Sequence, residues 1–137
     1  MNSILTMLAS AFGRGGFTVL DEESATRLHG MGSSLAAVPR LKKYEPSKCV
    51  SGRGLYLGTE SKVTAAVKCY GKECGYSDGD ALRTAAARAG RLLLLENGGS
   101  VRWISTGELV RDAAAGRLAV TVIIELAVYE ETEVVSG

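Results

Sequence analysis

The stretch of sequence that decides the fold is residues 61–96, SKVTAAVKCYGKECGYSDGDALRTAAARAGRLLLLE. From Ser61 to Tyr70, apolar and polar residues alternate, and this pattern predicts a strand with one buried face. From about Gly79 to Glu96, apolar residues recur at helical spacing, and this pattern predicts the main helix of the protein. The apolar stripe of that helix is Leu82, Ala85, Ala86, Ala89, Leu92 and Leu93, and its alanines permit a close approach to a sheet.

Signals at both ends bound the main helix. Ser77 or Asp78 precedes it and is a candidate N-cap, since a short side-chain oxygen can accept a bond from a free N–H group of the first turn. Asn97-Gly98-Gly99 follows it and predicts a left-handed residue at the end of the helix. A second, shorter amphipathic helix is predicted over residues 1–12, and the glycine run at 13–16 ends it.

Two strands are predicted after the main helix. The first is Val101–Glu108, and the turn Asp112–Gly116 ends in a glycine, as a hairpin turn often does. The second, Arg117–Glu130, is apolar on both faces and exceeds the usual strand length of about five to six residues. Such a strand either lies at the centre of a sheet or is covered by a second subunit.

Before residue 61, the strand signals are shorter. A brief extended run is predicted at Phe17–Leu20, followed by a polar turn or short helix through Leu28 and a loop to Ser34. Leu35–Tyr44 alternates as a strand does, and its Pro39 places it at an edge or a bulge because proline cannot donate to a strand ladder. The glycine-rich residues 46–60 are predicted to be the longest loop.

This order of elements predicts an α+β fold. We expect a mostly antiparallel sheet, one main helix packed across it and a short N-terminal helix. Residues 1–137 form a single predicted domain, with no internal repeat and no linker.

Composition excludes several classes of protein. Apolar residues make up 46% of the chain and charged residues 23%, which is a globular composition. A formal net charge of +1 predicts no sequence-specific binding of nucleic acid and no attraction to anionic lipid. No apolar run is long enough to span a membrane, and the start of the chain does not have the pattern of a signal peptide.

No group of residues in the sequence predicts catalysis or a cofactor. His29 is the only histidine, so a histidine-based triad has no other centre. Cys49, Cys69 and Cys74 are unevenly spaced and match neither a zinc site nor a disulfide framework, so we expect free thiols. The glycine clusters do not lie between a strand and a helix as phosphate-binding loops do. We therefore predict a protein that is not an enzyme and has no metal or cofactor.

A combination of segments carries a resemblance to a known family. In order, these are the loop Gly54-Leu55-Tyr56-Leu57-Gly58, the strand end Val67–Gly71, the helix Asp80–Leu95, the segment Val101–Glu108 and the long strand 117–130. The chain, over roughly residues 35–131, resembles the small tail-terminator proteins of bacteriophages and phage-tail-like particles. That group is also described as tail-completion or minor capsid proteins.

The resemblance implies a structural role in a virion or a related contractile injection system. Proteins of that group assemble as a ring, usually a hexamer, that caps the head-proximal end of the tail tube and stops its growth. The implied partners are other copies of the chain, the tail tube protein, the head connector and, in contractile tails, the last sheath ring. The implied location is the particle, assembled in the cytoplasm of the bacterial host.

The uneven charge of the chain suggests which residues join subunits. Residues 1–68 carry nine bases and five acids, and residues 69–137 carry seven bases and ten acids. Such asymmetry suits head-to-tail packing of like subunits, although a solvated acidic end explains it equally well. Within the ring hypothesis, the candidate interface residues are Arg40, Lys42 and Lys43 on one subunit and Glu125, Glu130 and Glu131 on the next.

The long glycine-rich loop is the candidate for docking to the tube or the connector, because a long loop in a compact domain is usually functional or disordered. Its candidate docking residues are Gly52, Arg53, Gly54, Leu55, Tyr56, Leu57 and Gly58.

Two other functions stay open at the level of sequence. One is a neck or adaptor protein of the same particle, which would lie between the portal and the tail. The other is a small-ligand or regulatory α+β module, for which a metabolite bound after purification would be evidence. The sequence gives no account of residues 1–34 or of the three cysteines.

Overall fold

The computed structural model describes residues 2–22, 28, 34–51 and 56–133. Within these residues the chain forms two helices and six strands. In chain order they are α1 (Asn2–Arg14), β1 (Thr18–Val19), β2 (Ala36–Ser51), β3 (Tyr56–Tyr70), α2 (Gly79–Glu96), β4 (Val101–Thr106), β5 (Val110–Asp112) and β6 (Arg117–Glu133).

One sheet contains these six strands. Its spatial order is β1, β2, β3, β6, β4, and β5 pairs with β6 beyond the end of β4. The short β1 is parallel to β2, and the other pairs are antiparallel. The predicted α+β fold with a mostly antiparallel sheet is confirmed, and the long strand β6 is central, between β3 and β4.

Both helices pack against the same face of the sheet. That face is built by alternate residues of the two central strands, which lie directly opposite each other: Val63 and Leu126, Ala65 and Ile124, Val67 and Val122. Burial of these apolar side chains against the helices supplies most of the driving force for folding. The helical residues that complete this core are Ile4, Leu8, Ala11 and Phe12 of α1 and Leu82, Ala86, Ala89 and Leu93 of α2.

Small residues set how close α2 comes to its neighbours. An added Cβ at Gly90 would lie 3.3 Å from a methyl carbon of Ile104 on β4. An added Cβ at Gly15, just after α1, would lie 2.9 Å from the Cβ of Ala89. The alanine face predicted to allow a close approach therefore meets the end of α1 as well as the sheet.

The ends of α2 differ from the capping that we expected. Asp78 precedes the helix, but its carboxylate makes no cap hydrogen bond and lies 3.1 Å from the ammonium of Lys72. Asn97 follows the helix with φ −131°, and neither Gly98 nor Gly99 has a positive φ, so the predicted left-handed end is wrong. The backbone and side-chain amides of Asn97 both donate to the Leu93 carbonyl, which satisfies that carbonyl without a left-handed residue.

The largest departure from the predicted elements is the segment 46–60. It was expected to be a loop, yet β2 continues to Ser51 and β3 begins at Tyr56. Glycine suggested a loop, but cross-strand pairing overrides local propensity here: Gly58 lies opposite Val50 on one side and Glu131 on the other. β2 accommodates its irregular sequence with register shifts at 41–43 and 46–48.

Two residues with special backbone properties, Pro39 and Gly116, lie where the sequence predicts them. β1 pairs only with Ala36 and Ala37, so Pro39 lies on the open edge of β2, as predicted. Gly116 has φ +65° and ends the tight turn into β6, as predicted for a hairpin. The strand that enters this turn is β5, a short element that the sequence did not predict.

Candidate interaction surface

Within the described residues, the sheet face opposite the helices is covered at one end only. There, Leu28, Ala36, Val38, Tyr70, Ala115 and Ala119 form a small second core. The guanidinium of Arg117, fully buried, donates to the carbonyls of Leu28, Ser34 and Gly71 at 2.8, 3.0 and 2.6 Å. These bonds fasten the chain around residues 28 and 34 across the start of β6.

Beyond that end, no described helix or strand packs on this face, which we call the open face. Its residues are those that alternate with the core residues along each strand. They are Arg40, Lys43 and Glu45 on β2, Glu60, Lys62, Thr64 and Ala66 on β3, Ile123, Glu125, Ala127 and Tyr129 on β6, and Trp103 and Ser105 on β4.

The centre of the open face is a shallow, mixed-charge depression of about 170 Å³. The Lys62 ammonium lies 3.3 Å from the Glu125 carboxylate. Glu60 and Arg102 also line the depression, so acids and bases are balanced there. Such balance favours a surface that contacts another protein over a site for one charged small molecule.

Two aromatic side chains project from the open face. Trp103 is 52% exposed and Tyr129 is 55% exposed, which is unusual for such large apolar groups. The Tyr129 ring lies over Gly58, where any added Cβ would overlap the ring. Sequence reasoning missed both residues as site candidates. Parity could have found Tyr129, which is out of phase with the buried stripe of β6. It could not have found Trp103, which has the parity of the buried Val101 and is turned to the open face by the register shift between these two residues.

The basic residues predicted to join subunits lie at the open edge of the sheet. Arg40 is exposed and lies opposite Ala66, whereas Lys42 lies in the register shift. Lys43 Nζ lies 3.0 Å from Glu45 Oε1, and the hydrogen bond that Lys43 donates lowers the pKa of the Glu45 carboxyl. We call Arg40, Lys42 and Lys43 the β2 strip. It shares one sheet face with Glu125, two strands away.

The predicted acidic partners are separated by the structure. Glu125 is paired with Lys62 of its own chain, so it is not a free carboxylate. Glu130 and Glu131 occupy the end of β6, opposite Thr59 and Gly58 of β3. Of the predicted docking loop, Gly52, Arg53, Gly54 and Leu55 lie outside the described residues, and Tyr56, Leu57 and Gly58 belong to β3 instead of a loop.

A second surface lies on the side of α2 that points away from the sheet. We define this outer face of α2 by Arg83, Arg88, Arg91, Leu94 and Leu95, all of which are exposed. Among the described residues, none of the three arginines lies within ion-pair distance of a carboxylate. Shallow grooves beside Arg83 and Arg88 are lined mainly by small residues of the helix.

The structure describes the side chains of two cysteines, Cys69 and Cys74, and both are free thiols. Burial raises the pKa of the Cys69 thiol to about 12, so it stays protonated. Cys74 is exposed, in a turn with φ +58°. In the part of the chain that the structure describes, no three His, Cys, Asp or Glu side chains are grouped to hold a metal ion. His29 lies outside the described residues.

Comparison with known proteins leaves this chain without a match among protein families and among curated proteins. Neither described helix is long and apolar enough to cross a membrane.

Proposed function

We propose that this protein is a structural subunit of a bacteriophage or phage-tail-like particle, which assembles as a ring at the head-proximal end of the tail tube and stops tube growth. The observation that carries this proposal is the open face. Within the described residues, both helices lie on one side of the sheet, and Trp103 and Tyr129 are more than half exposed on the other, which is a surface suited to contact with another protein.

The order of elements supports the same proposal. The segments that carry the resemblance to tail terminators are the start of β3, the end of β3, helix α2, β4 and β6. Together they form the central strands β3 and β6, the edge strand β4 and the helix packed across them. The resemblance to tail terminators therefore concerns the helix-on-sheet core, and the open face and the outer face of α2 lie on opposite sides of this core.

The two surfaces lie on opposite sides of the molecule, which supports a ring over a two-fold dimer. A contact between two different surfaces repeats from one copy to the next and closes into a ring when the rotation allows it. We propose a homo-oligomeric ring, with six copies as the expected size. Its further partners would be the tube protein, the head connector and, in a contractile tail, the sheath.

The open edge of β2 supports assembly through side chains and not through added strands. Pro39 lacks an N–H group, two register shifts interrupt the edge, and Lys42 adds charge. These features are the usual ways in which proteins prevent uncontrolled pairing of strand edges. Edge-to-edge extension of the sheet is therefore disfavoured.

The test is to mix the purified chain with tubes assembled from the tail-tube protein of the same phage or prophage. Electron microscopy of gold-labelled protein should show label at one end of each tube, and tubes grown with the protein present should be shorter. As a control, tubes are mixed with a labelled unrelated protein of similar mass. Label on isolated head connectors and none on tubes would replace the proposal with the neck adaptor.

A metabolite that copurifies with the chain, with no label on tubes or connectors, would overturn the proposal in favour of a ligand-binding module. Native mass spectrometry detects such a molecule as added mass over the 14.4 kDa chain.

A further inference from the structure

We infer which surfaces meet in the ring, an inference that rests on the proposed function: the outer face of α2 in one copy packs against the next copy where Tyr129 and the acidic end of β6 lie. The occupant of each surface is thus a second copy of this chain. Complementary apolar and charged groups on the two surfaces carry the argument.

The helix surface combines apolar and basic groups without partners of their own. Leu95 is 82% exposed and Leu94 45% exposed, side by side in the last turn of α2. Arg91 and Arg88 precede them, one and two turns back along the helix. In the described structure neither arginine is in an ion pair, so both are free to pair with carboxylates of another molecule.

The strand surface carries the opposite charge beside an apolar ring. Tyr129 is exposed on the open face, and Glu130, Glu131 and Glu133 follow it in the sequence, after the last base of the chain, Arg117. The residues of β3 in register with Glu130 and Glu131 are Thr59 and Gly58, which bear no charge. In the described strands, no base therefore lies in register with this acidic run.

The spacing of apolar and charged groups is similar on the two surfaces. Along α2, a rise of about 1.5 Å per residue separates Leu95 from Arg91 by about 6 Å. Along β6, a rise of about 3.4 Å per residue separates Tyr129 from Glu131 by about 7 Å. A copy that places Leu95 beside Tyr129 therefore also brings the backbone of Arg91 near that of Glu131.

The position of the two surfaces decides between α2 and the β2 strip as the basic partner. The β2 strip and Tyr129 lie on the same face of one sheet, so a contact between them would pair two copies face to face. The outer face of α2 lies on the other side of the molecule from the open face. A contact between this helix face and Tyr129 of the next copy therefore repeats head to tail. A ring requires the second arrangement, and we therefore assign the acidic end of β6 to α2.

The experiment compares two charge reversals by light scattering, at about 50 mM and about 500 mM salt. R88E/R91E changes the helix surface, and E131K/E133K changes the strand surface at the two acidic positions that alternate onto the same sheet face as Tyr129. Each variant alone should lose assembly, with its mass falling to that of the 14.4 kDa chain or its dissociation constant rising about tenfold or more. Mixed in equal amounts, the two variants should reassemble, because each reversed surface then meets its complement.

The matched control is R40E/K42E/K43E, which reverses the β2 strip and should leave the assembled mass unchanged. Circular dichroism of each variant checks that it is folded. The inference is overturned if wild-type protein stays a single chain under every condition, if R88E/R91E leaves the mass unchanged, or if only the β2 variant dissociates. Since tube-end labelling is a separate measurement, those outcomes leave the proposed function to be judged on its own.

Discussion

Arg117 stabilises the end of the sheet where the small second core lies. Its side chain is fully buried, and among the described residues it is bound by three backbone carbonyls and by no carboxylate. A buried cation is retained only where its donors are used, and here only Nε lacks a partner. Arg117 therefore joins three separate parts of the chain: residue 28, residue 34 and the end of β3.

Replacing Arg117 by methionine should cost about 3 kcal/mol or more in the free energy of unfolding, because it leaves buried carbonyls without donors. Urea unfolding followed by circular dichroism measures this loss. Arg111→Met is the control: Arg111 lies exposed over the Tyr76 ring, 4.2 Å from its centre, so its loss should cost less than about 1 kcal/mol. Equal losses for the two variants would contradict the role of Arg117.

The ion pair of Lys68 and Asp112 should make the free energy of unfolding depend on pH in the acidic range. Lys68 Nζ donates to Asp112 at 2.9 Å, and this bond lowers the pKa of Asp112 and raises that of Lys68. With the folded pKa of Asp112 lowered, the stabilisation is present above the unfolded carboxyl value of about 3.9. It is lost as the pH falls through the lowered value.

Asp112→Asn should remove that part of the acid dependence. At pH 7 the free energy of unfolding should differ from that of the wild type by less than about 1 kcal/mol, because Lys68 is partly exposed and solvent weakens the ion pair. Urea unfolding of both proteins between pH 7 and about pH 2 measures it. Glu108→Gln, which changes an exposed carboxyl, serves as the control and should leave the profile of the wild type. Parallel profiles for wild type and Asp112→Asn would refute the prediction.

Among the elements, α2 is the one whose position depends most on small side chains. Gly90 faces Ile104 of β4, and Ala89 faces Gly15 at the end of α1. Because Gly15 and Gly90 carry no side chain, α2 lies close to both neighbours, and this packing fixes the direction of its outer face. The element is thus both part of the core and one side of the proposed contact.

Ala89→Leu should force α2 away from the end of α1. Overpacking of a filled core costs about 1–3 kcal/mol, and we expect a loss of that size in the free energy of unfolding. Thermal or urea unfolding measures it. Ala87→Leu is the matched control, since Ala87 borders a groove on the exposed side of the same helix and should change stability by less than about 0.5 kcal/mol.

At the scale of the whole molecule, one sheet face forms the main core, and on most of the other face no described helix or strand packs. The apolar content of β6 on both faces indicated either a central strand or a strand covered by a second subunit. The structure shows that β6 is central, and we propose that a second copy also covers part of it. The two explanations are compatible because a central position concerns the strands that pair with β6 on its two edges, whereas a second copy would cover its open face.

Trp103→Thr and Tyr129→Thr should separate folding from assembly. Both side chains are more than half exposed, so each substitution should change the free energy of unfolding by less than about 1 kcal/mol. If the open face is a contact surface, Tyr129→Thr should weaken assembly several-fold, since buried tyrosines often dominate interfaces. Light scattering gives the assembled mass, with Tyr76→Thr as a control away from the open face.

The sequence by itself determined the elements with strong periodicity. Helix α2, the core stripe of β3 and the long β6 follow from local alternation and helical spacing, because burial on one face imposes a period on the chain. It also placed Pro39 on an edge and Gly116 at a turn, since both residues have backbone limits that act without neighbours.

Only the tertiary structure decided which distant segments pair and how they face each other. The strand character of residues 46–51 and 56–60 comes from pairing with distant strands, and glycine and proline conceal it locally. The ion pair of Glu125 with Lys62 joins residues 63 positions apart in the chain but adjacent across β3 and β6. The opposite directions of the open face and the outer face of α2 depend on helix-on-sheet packing, and no pattern within one segment specifies how two segments face each other.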